Sequence, residues 1–255
     1  MMKKSQFEES IFIALNKSYV ESQIFNLSFD GNVTKMTEYF ITVNLCKELL
    51  NWNKKNHYPY KIEAEKNTFD LYKDCFENYK PKDKDSIFSP TIFSSNFQEF
   101  LENLKKIRKG KVDIALSTEK DTFNNISEYI FEVKAINPTI NKLKEDFERI
   151  QNYINAEIPY FCNSLKGGFI VFIKHHNTEK KIQNREYLIK ERDKYITKLK
   201  QSLSDLSNKN IISNINTNTI ELSDYEGLHV FDGDDFGEIA YKTFFAYSVI
   251  IEIKK

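Results

Sequence analysis

Three charged residues occupy two apolar runs of the chain, where a buried β-sheet would ordinarily exclude charge. Asp113 lies within KVDIALS (111–117), and Glu132 and Lys134 lie within EYIFEVKAI (128–136). EYIFEVKAI is rich in aromatic and β-branched residues with a period of two, and KVDIALS is a second apolar run, so two β-strands are predicted. Because Glu132 and Lys134 are two residues apart, their side chains point to the same face of such a strand.

The chemistry of this set is that of a divalent cation and a phosphate group. Eighteen residues separate Asp113 from Glu132, so an antiparallel hairpin with a polar loop can bring the two carboxyl groups side by side. Carboxylates about 4 Å apart repel each other, and a cation between them removes that cost. Hard oxygen ligands that leave water positions open suit Mg²⁺ bound together with phosphate. The Lys134 ammonium can then orient or deprotonate a water molecule, or stabilise a phosphoryl transition state.

The pattern resembles the PD-(D/E)xK nuclease superfamily, which has the restriction-endonuclease-like fold. The resemblance rests on VDIAL, then FEVKA, then NPTINKLKEDFERIQNYI, and it covers about residues 34–175. Its order is acidic helix, strand, Asp strand, E-x-K strand, helix and strand. It implies that Asp113, Glu132 and the main-chain carbonyl of Val133 are metal ligands, and that Lys134 is the catalytic lysine.

Three further positions bear on this resemblance. Val112 stands where the family motif has proline. Many members add a glutamate on the first core helix, and Glu38 is the acid nearest the start of that helix in MTEYFITVNL; the alternative is an acidic residue that complements the helix dipole. Gln151 resembles the Q-x-x-x-Y element of one branch only loosely, since its spacing to Tyr153 is wrong.

Two other stretches compete with this assignment. IIEIKK carries a second E-x-K at Glu252 and Lys254, with Asp234 and Asp235 upstream in FDGDDFGE, a pattern typical of a turn. No helix and strand follow this second match, so it is predicted to be a polar edge strand. KIEAEK offers two glutamates without a lysine at the required offset, and it is predicted to be an exposed strand face.

The elements that must position the charged residues follow from hydrophobic periodicity. Residues 34–53 predict a helix, and 142–155 predict another after the E-x-K strand. In the first helix, Tyr39, Val43, Cys46 and Leu50 mark the expected core stripe, and Phe40, Leu45 and Leu49 broaden it. In the second helix, the expected core stripe is Leu143, Phe147, Ile150 and Ile154. Further elements are strands at 58–66, 167–175, 217–224 and 244–255, and a charged helix at 185–206.

This order predicts an α/β protein with a mixed central β-sheet flanked by helices. By the resemblance it is a restriction-endonuclease-like core over about 34–175, followed by C-terminal helix and strand extensions over about 176–255. No composition shift or linker divides the chain, so residues 1–255 are expected to form a single nuclease-like domain.

Composition narrows the classes of function. The chain has 37 basic and 37 acidic side chains, which excludes a uniformly basic coat but leaves room for a local basic groove. LKKIRKGK is the candidate nucleic-acid contact, and its basic residues are Lys105, Lys106, Arg108, Lys109 and Lys111. Neither the cysteines nor the histidines show disulfide or zinc spacing.

Targeting signals are not evident either. The apolar run near the N-terminus is short and carries acids, and no run reaches the roughly 18 apolar residues of a membrane span. A cytoplasmic protein is therefore expected.

The function that the resemblance implies is a Mg²⁺-dependent nuclease, with Mn²⁺ as a substitute, that hydrolyses double-stranded DNA. Bacterial defence or restriction is the expected setting by analogy, with a homodimer or a defence-system protein as partner. Two alternatives stay open. One is a non-catalytic nucleic-acid- or protein-binding module on the same fold, and the other is an RNase or toxin nuclease.

Overall fold

The computed structural model describes residues 4–28, 33–58, 60–76, 78–79, 110–121, 124–157, 161–176, 185–206, 212–220 and 245–254. Five helices and eight strands lie within these ranges. In chain order they are α1 (Lys4–Ser28), α2 (Val33–Lys55), β1 (Tyr60–Asn67), α3 (Thr68–Cys75), β2 (Asn78–Tyr79), β3 (Lys111–Asp121), β4 (Asn124–Ile136), α4 (Ile140–Asn155), β5 (Phe161–Cys162), β6 (Gly167–His176), α5 (Arg185–Ser204), β7 (Ile212–Ile220) and β8 (Phe245–Lys254).

Six of the strands form one open mixed sheet in the order β1-β3-β4-β6-β8-β7. Only the β4–β6 pair is parallel among the strands described. Parallel neighbours need a crossover connection, and α4 lies between these two strands in the chain. The short strands β2 and β5 pair with each other outside this sheet. The predicted α/β class, with a mixed sheet flanked by helices, is confirmed.

The sheet separates two hydrophobic clusters. One cluster joins it to α1 and α2, through side chains such as Ile11 and Leu45. The other joins it to α3, α4 and α5, through side chains such as Phe147 and Leu199. Successive residues of β8 alternate between the clusters, because side chains on a strand alternate between its faces: Ile250 belongs to the first cluster and Ile251 to the second.

The inward face of α2 agrees only in part with the predicted stripe. Tyr39 is 62% exposed and Leu50 is also exposed. Cys46 packs against the core, and Leu45 and Leu49, which broaden the predicted stripe, are among the buried residues of this helix. Those that belong to the core cluster are Ile41, Leu45, Leu49 and Trp52. The helix carries apolar residues around much of its surface, so periodicity alone did not separate the residues that meet the sheet from those that face solvent.

The core also extends beyond the predicted range 34–175. The helix α1 buries Phe7, Ile11, Leu15 and Tyr19 against the sheet. At the other end of the chain, β8 lies between β6 and β7, so the prediction that IIEIKK is an edge strand is wrong. Within the described residues, no helix has the length and apolar character needed to span a membrane.

The two central strands are longer than predicted. β3 continues to Asp121 and β4 begins at Asn124, so most of the expected polar loop is a paired hairpin with two register shifts. β7 begins earlier than predicted, at Ile212, and the predicted residues from 221 to 224 lie outside the described residues.

Close packing fixes α4 over the sheet. The four residues of its predicted core stripe are all buried, as expected from their spacing. Gly168 on β6 lets the helix approach, because a Cβ atom there would lie 2.5 Å from Cγ2 of Ile150. The helix begins after Thr139, whose side chain accepts a hydrogen bond from the Lys142 amide. The charged residues of α4 that face β4 are therefore held at a defined position.

Candidate active site

The β3–β4 hairpin brings the predicted carboxyl groups together. The antiparallel register pairs Ile114 with Phe131, and its continuation places Asp113 opposite Glu132. Residues directly opposite each other on antiparallel strands project to the same face. Ile114 and Phe131 face the cluster with α1 and α2, so the two carboxyl groups project to the other face, which α4 covers. Lys134 follows Glu132 on that face.

The Asp113 carboxylate also holds the backbone of the E-x-K strand. Its Oδ2 atom accepts a hydrogen bond of 2.6 Å from the Val133 amide, just beyond the last backbone pair between β3 and β4. Burial raises the pKa of Asp113, and the bond from Val133 opposes that shift only in part. The Val133 side chain is buried on the opposite face, so its main chain is fixed from both sides.

Two residues of α4 that the sequence reasoning missed complete the arrangement. Nη1 of Arg149 donates a hydrogen bond of 2.8 Å to Oε1 of Glu132, and its Nη2 lies 2.6 Å from Oδ1 of Asp146. Nζ of Lys134 lies 3.1 Å from Oδ2 of Asp146 and 3.9 Å from Oε2 of Glu132. Two cations and two carboxylates thus alternate around a closed ring between β4 and α4.

The ring has a buried side and a solvent side. The side chains of Glu132 and Asp146 are each 2% exposed, whereas Lys134 is 19% exposed and Arg149 is 22% exposed. A solute that approaches from water therefore meets the two cations before it meets the carboxylates.

Electrostatics in this ring favour charge stabilisation by Lys134 over proton abstraction. Burial acts to lower the pKa of Lys134, but Asp146, Glu132 and Asp113 together raise it above its ordinary value. The ammonium therefore stays protonated at neutral pH. Burial raises the pKa of Glu132 to about 7, with a further contribution from Asp113 that Arg149 opposes. Asp113 and Asp146 repel the charged form of Glu132, and Arg149 and Lys134 do not fully offset this repulsion and the effect of burial.

Glu38 is brought to the same region from α2. Burial raises the pKa of this half-buried residue, Lys134 lowers it, and Asp113 and Asp146 raise it further. Among the predicted site residues, Asp113 and Lys134 thus act electrostatically on Glu38. The expectation that the first core helix contributes an acid to the site stays a prediction, with a position that is compatible with it.

The donor set fits a divalent cation in chemistry and charge. Four carboxyl groups and two cations leave a surplus of two negative charges when all are ionised; the groups are Glu38, Asp113, Glu132, Asp146, Lys134 and Arg149. As they are placed, however, no three His, Cys, Asp or Glu side chains of the described residues form a metal-binding group. Oxygen atoms of Asp113 and Glu132 are engaged by Val133 and Arg149 instead. A metal would therefore have to displace at least the Arg149 contact.

The remaining predicted positions lie elsewhere. Lys111 is exposed and pairs with Glu65 across β1 and β3, at 2.6 Å. The other four basic residues of LKKIRKGK, at 105, 106, 108 and 109, lie outside the described residues. In the second E-x-K, Glu252 accepts a hydrogen bond from Asn214 of β7, and its upstream acids at 234 and 235 also lie outside. Gln151 is buried on α4, and its Nε2 atom has no hydrogen-bond partner within the described part of the chain.

Comparison of the chain with protein-family models, with curated proteins and with solved structures finds no match. The residues of the site and their geometry are therefore the basis for assigning a function.

Proposed function

We propose that the chain is a Mg²⁺-dependent nuclease that hydrolyses phosphodiester bonds of DNA. The observation that carries this proposal is the face of the β3–β4 hairpin where Asp113 and Glu132 oppose each other and Lys134 follows. The order of α2, β1, β3, β4, α4 and β6 along the chain is the order that the PD-(D/E)xK resemblance implies. The fold is therefore proposed to be restriction-endonuclease-like.

The proposed roles follow from the chemistry of each side chain. Asp113 and Glu132 would hold Mg²⁺, with the carbonyl of Val133 as an additional ligand. The Glu38 carboxylate would either bind the metal or position the attacking water. When bound, the metal supplies Lewis-acid chemistry, which polarises the phosphate and makes water a better nucleophile. The Lys134 ammonium stabilises the negative charge that develops on the phosphate oxygens, because it is fixed in place and largely removed from water.

A cleavage assay with matched variants tests this proposal. Plasmid DNA, single-stranded DNA and RNA are incubated with the protein, with and without Mg²⁺ or Mn²⁺. We expect metal-dependent cleavage of DNA by the wild type, and a loss on the order of 10²–10³ in rate for Lys134→Ala. Lys254→Ala is the matched control, since it removes the lysine of the other E-x-K, on β8, and should leave cleavage unchanged.

The metal dependence of cleavage should distinguish the role of Glu132 from that of Lys134. Glu132→Ala removes a proposed ligand, so part of its activity should return at high Mn²⁺ concentration. Lys134→Ala removes a charge that the metal does not replace, so no metal concentration should restore it. Equal recovery of both variants would contradict the division of roles.

Other outcomes select the alternatives. A wild type that cleaves no nucleic acid under any metal is a binding module, and one that cleaves RNA alone is an RNase. Loss of cleavage in Lys254→Ala but not in Lys134→Ala would move the site to β8. By analogy, the nuclease would act on double-stranded DNA in the cytoplasm, in defence or restriction, as a homodimer or with a defence-system protein.

A further inference from the structure

We propose that Arg149 binds the phosphate group of the substrate, and that Asp146 is the positioning residue that holds it there beside Lys134. This inference rests on the proposed nuclease function and adds a residue from α4 to the substrate-binding side of the site. Neither residue belongs to the E-x-K pattern.

The ring between β4 and α4 supplies the geometry. The two carboxylate oxygens of Asp146 contact different cations, Oδ1 the Arg149 guanidinium and Oδ2 the Lys134 ammonium. One buried carboxylate therefore fixes the spacing of two positive groups. Both groups lie on the solvent side of the ring, and an anion that enters the site meets them together.

The Arg149 guanidinium has N–H donors that these two contacts do not use. Arginine carries five N–H donors, and Arg149 uses its Nη1 and Nη2 atoms toward Glu132 and Asp146. Donors remain for a phosphate oxygen, and a planar guanidinium matches two oxygens of a phosphate at once. Arg149 can therefore turn toward the substrate without leaving Asp146, while its contact with Glu132 gives way to the metal.

A purely structural role of Arg149 predicts a different effect of its removal on metal affinity. If Arg149 only neutralises the two buried carboxylates, its removal disorders Glu132 and weakens the metal site. If it binds phosphate, its removal takes away a cation that competes for Glu132, so the metal should bind at least as well. Metal affinity without substrate therefore separates the two roles.

The experiment measures Mn²⁺ binding by isothermal titration in the absence of nucleic acid, and DNA cleavage in parallel. For Arg149→Ala we expect Mn²⁺ affinity equal to or tighter than that of the wild type, and a loss of about 10²-fold in kcat/KM. Arg192→Ala on α5 is the matched control, because Arg192 is 24% exposed and pairs with Asp193. It should change neither quantity.

Two results would overturn the inference. One is a parallel fall of Mn²⁺ affinity and cleavage in Arg149→Ala, and the other is cleavage within about threefold of the wild type. If Arg149→Ala does not fold, Arg149→Lys carries the test: it keeps the charge but loses the planar fork, so kcat/KM should fall by about tenfold with Mn²⁺ affinity retained. Wild-type cleavage by Arg149→Lys would contradict the proposal. Failure of the proposed function itself appears earlier, as a wild type that does not cleave.

Discussion

Lys66 shows how this chain accommodates a charge in its interior. Its buried ammonium contacts Glu63 at 2.6 Å, Asp74 of α3 at 2.5 Å, and the hydroxyl groups of Ser117 and Ser127 at 3.2 Å. Burial acts to lower the pKa of Lys66, but the bonds with Asp74 and Glu63 raise it overall. One ammonium thus links β1, α3, β3 and β4 on the hairpin that also carries the candidate site.

Replacing Lys66 by methionine should destabilise the protein strongly at neutral pH. The change leaves Glu63 and Asp74 without their shared cation, and breaking a buried ion pair in this way typically costs about 3–5 kcal/mol. Against the effect of burial, Lys66 holds the pKa of Glu63 below its ordinary value and opposes the rise that burial causes in the pKa of Asp74. Without Lys66 both folded-state pKa values should rise. The loss should therefore be larger at pH 7 than at pH 4, where the unfolded carboxyl groups, with pKa values of about 4, are already about half protonated.

Urea unfolding at the two pH values measures this difference. Lys61→Met is the control, since the exposed Lys61 also pairs with Glu63 and should change the free energy of unfolding by less than about 0.5 kcal/mol. A Lys66→Met effect that is equally large at both pH values would show that the cost comes from packing rather than from unpaired carboxylates.

At the scale of single residues, the sequence allowed some of these positions to be predicted and not others. Asp113, Glu132 and Lys134 stand out because they interrupt apolar runs at strand spacing. Lys66 does not, since KIEAEK looks like an exposed strand face until α3 covers one end of it. The partners of a buried charge come from other elements, and strand periodicity contains no information about them.

Among the elements, α4 links core packing to the candidate site. Its apolar stripe faces the sheet, and Asp146 and Arg149 stand three residues apart beside that stripe. Replacing Phe147 by alanine should lower the free energy of unfolding by roughly 3–5 kcal/mol, the usual cost of deleting a buried ring. Glu148→Ala on the exposed side of the same helix should stay within about 0.5 kcal/mol.

Chemical denaturation of both variants checks this prediction. A Phe147→Ala effect below about 1 kcal/mol would mean that the helix can shift to fill the space. Cleavage by the folded part of the Phe147→Ala population should then also fall, because such a shift would move Asp146 relative to Lys134.

The elements differ in how far their sequences determined them. The apolar residues of α4 lie on one side of the helix, so both the helix and its inward face were predictable. The helix α2 has apolar residues around more of its surface, and the stripe predicted from periodicity combines the exposed Tyr39 and Leu50 with the buried Leu45 and Leu49. Asp146 and Arg149 follow helical spacing too, but identifying them requires knowing that α4 crosses β4 at Glu132, which depends on the tertiary arrangement.

For the molecule as a whole, the sheet is the only layer that both hydrophobic clusters share within the described residues. The strand order places β8, which comes last among the described strands, beside β6. The first described helix, α1, packs on one face of the same sheet. These contacts join residues more than 200 positions apart, as in the hydrogen bond from Ser248 to Asn16. Local periodicity predicts strands and helices, but such long-range pairing leaves no local pattern, so the predicted core stopped short at both ends.

If the sheet couples the two clusters, a cavity in one cluster should lower the melting temperature of both. Ile251 is buried in the cluster with α4 and α5, and Trp52, the single tryptophan of the chain, is buried in the cluster with α1 and α2. Ile251→Ala should cost roughly 2–5 kcal/mol. The melting temperature should fall by about 2–4 °C for each kcal/mol in a protein of this size.

Two probes make the coupling measurable in one thermal scan. Far-UV circular dichroism follows all helices, and tryptophan fluorescence follows only the surroundings of Trp52. Because both layers pack on the same strands, we expect Ile251→Ala to shift the two transitions equally, as a two-state protein requires. Ile250→Ala, which opens the cluster that contains Trp52, is the matched comparison. A Trp52 transition that moves in Ile250→Ala but stays in place in Ile251→Ala would show that the two layers unfold independently, and that the sheet does not transmit stability between them.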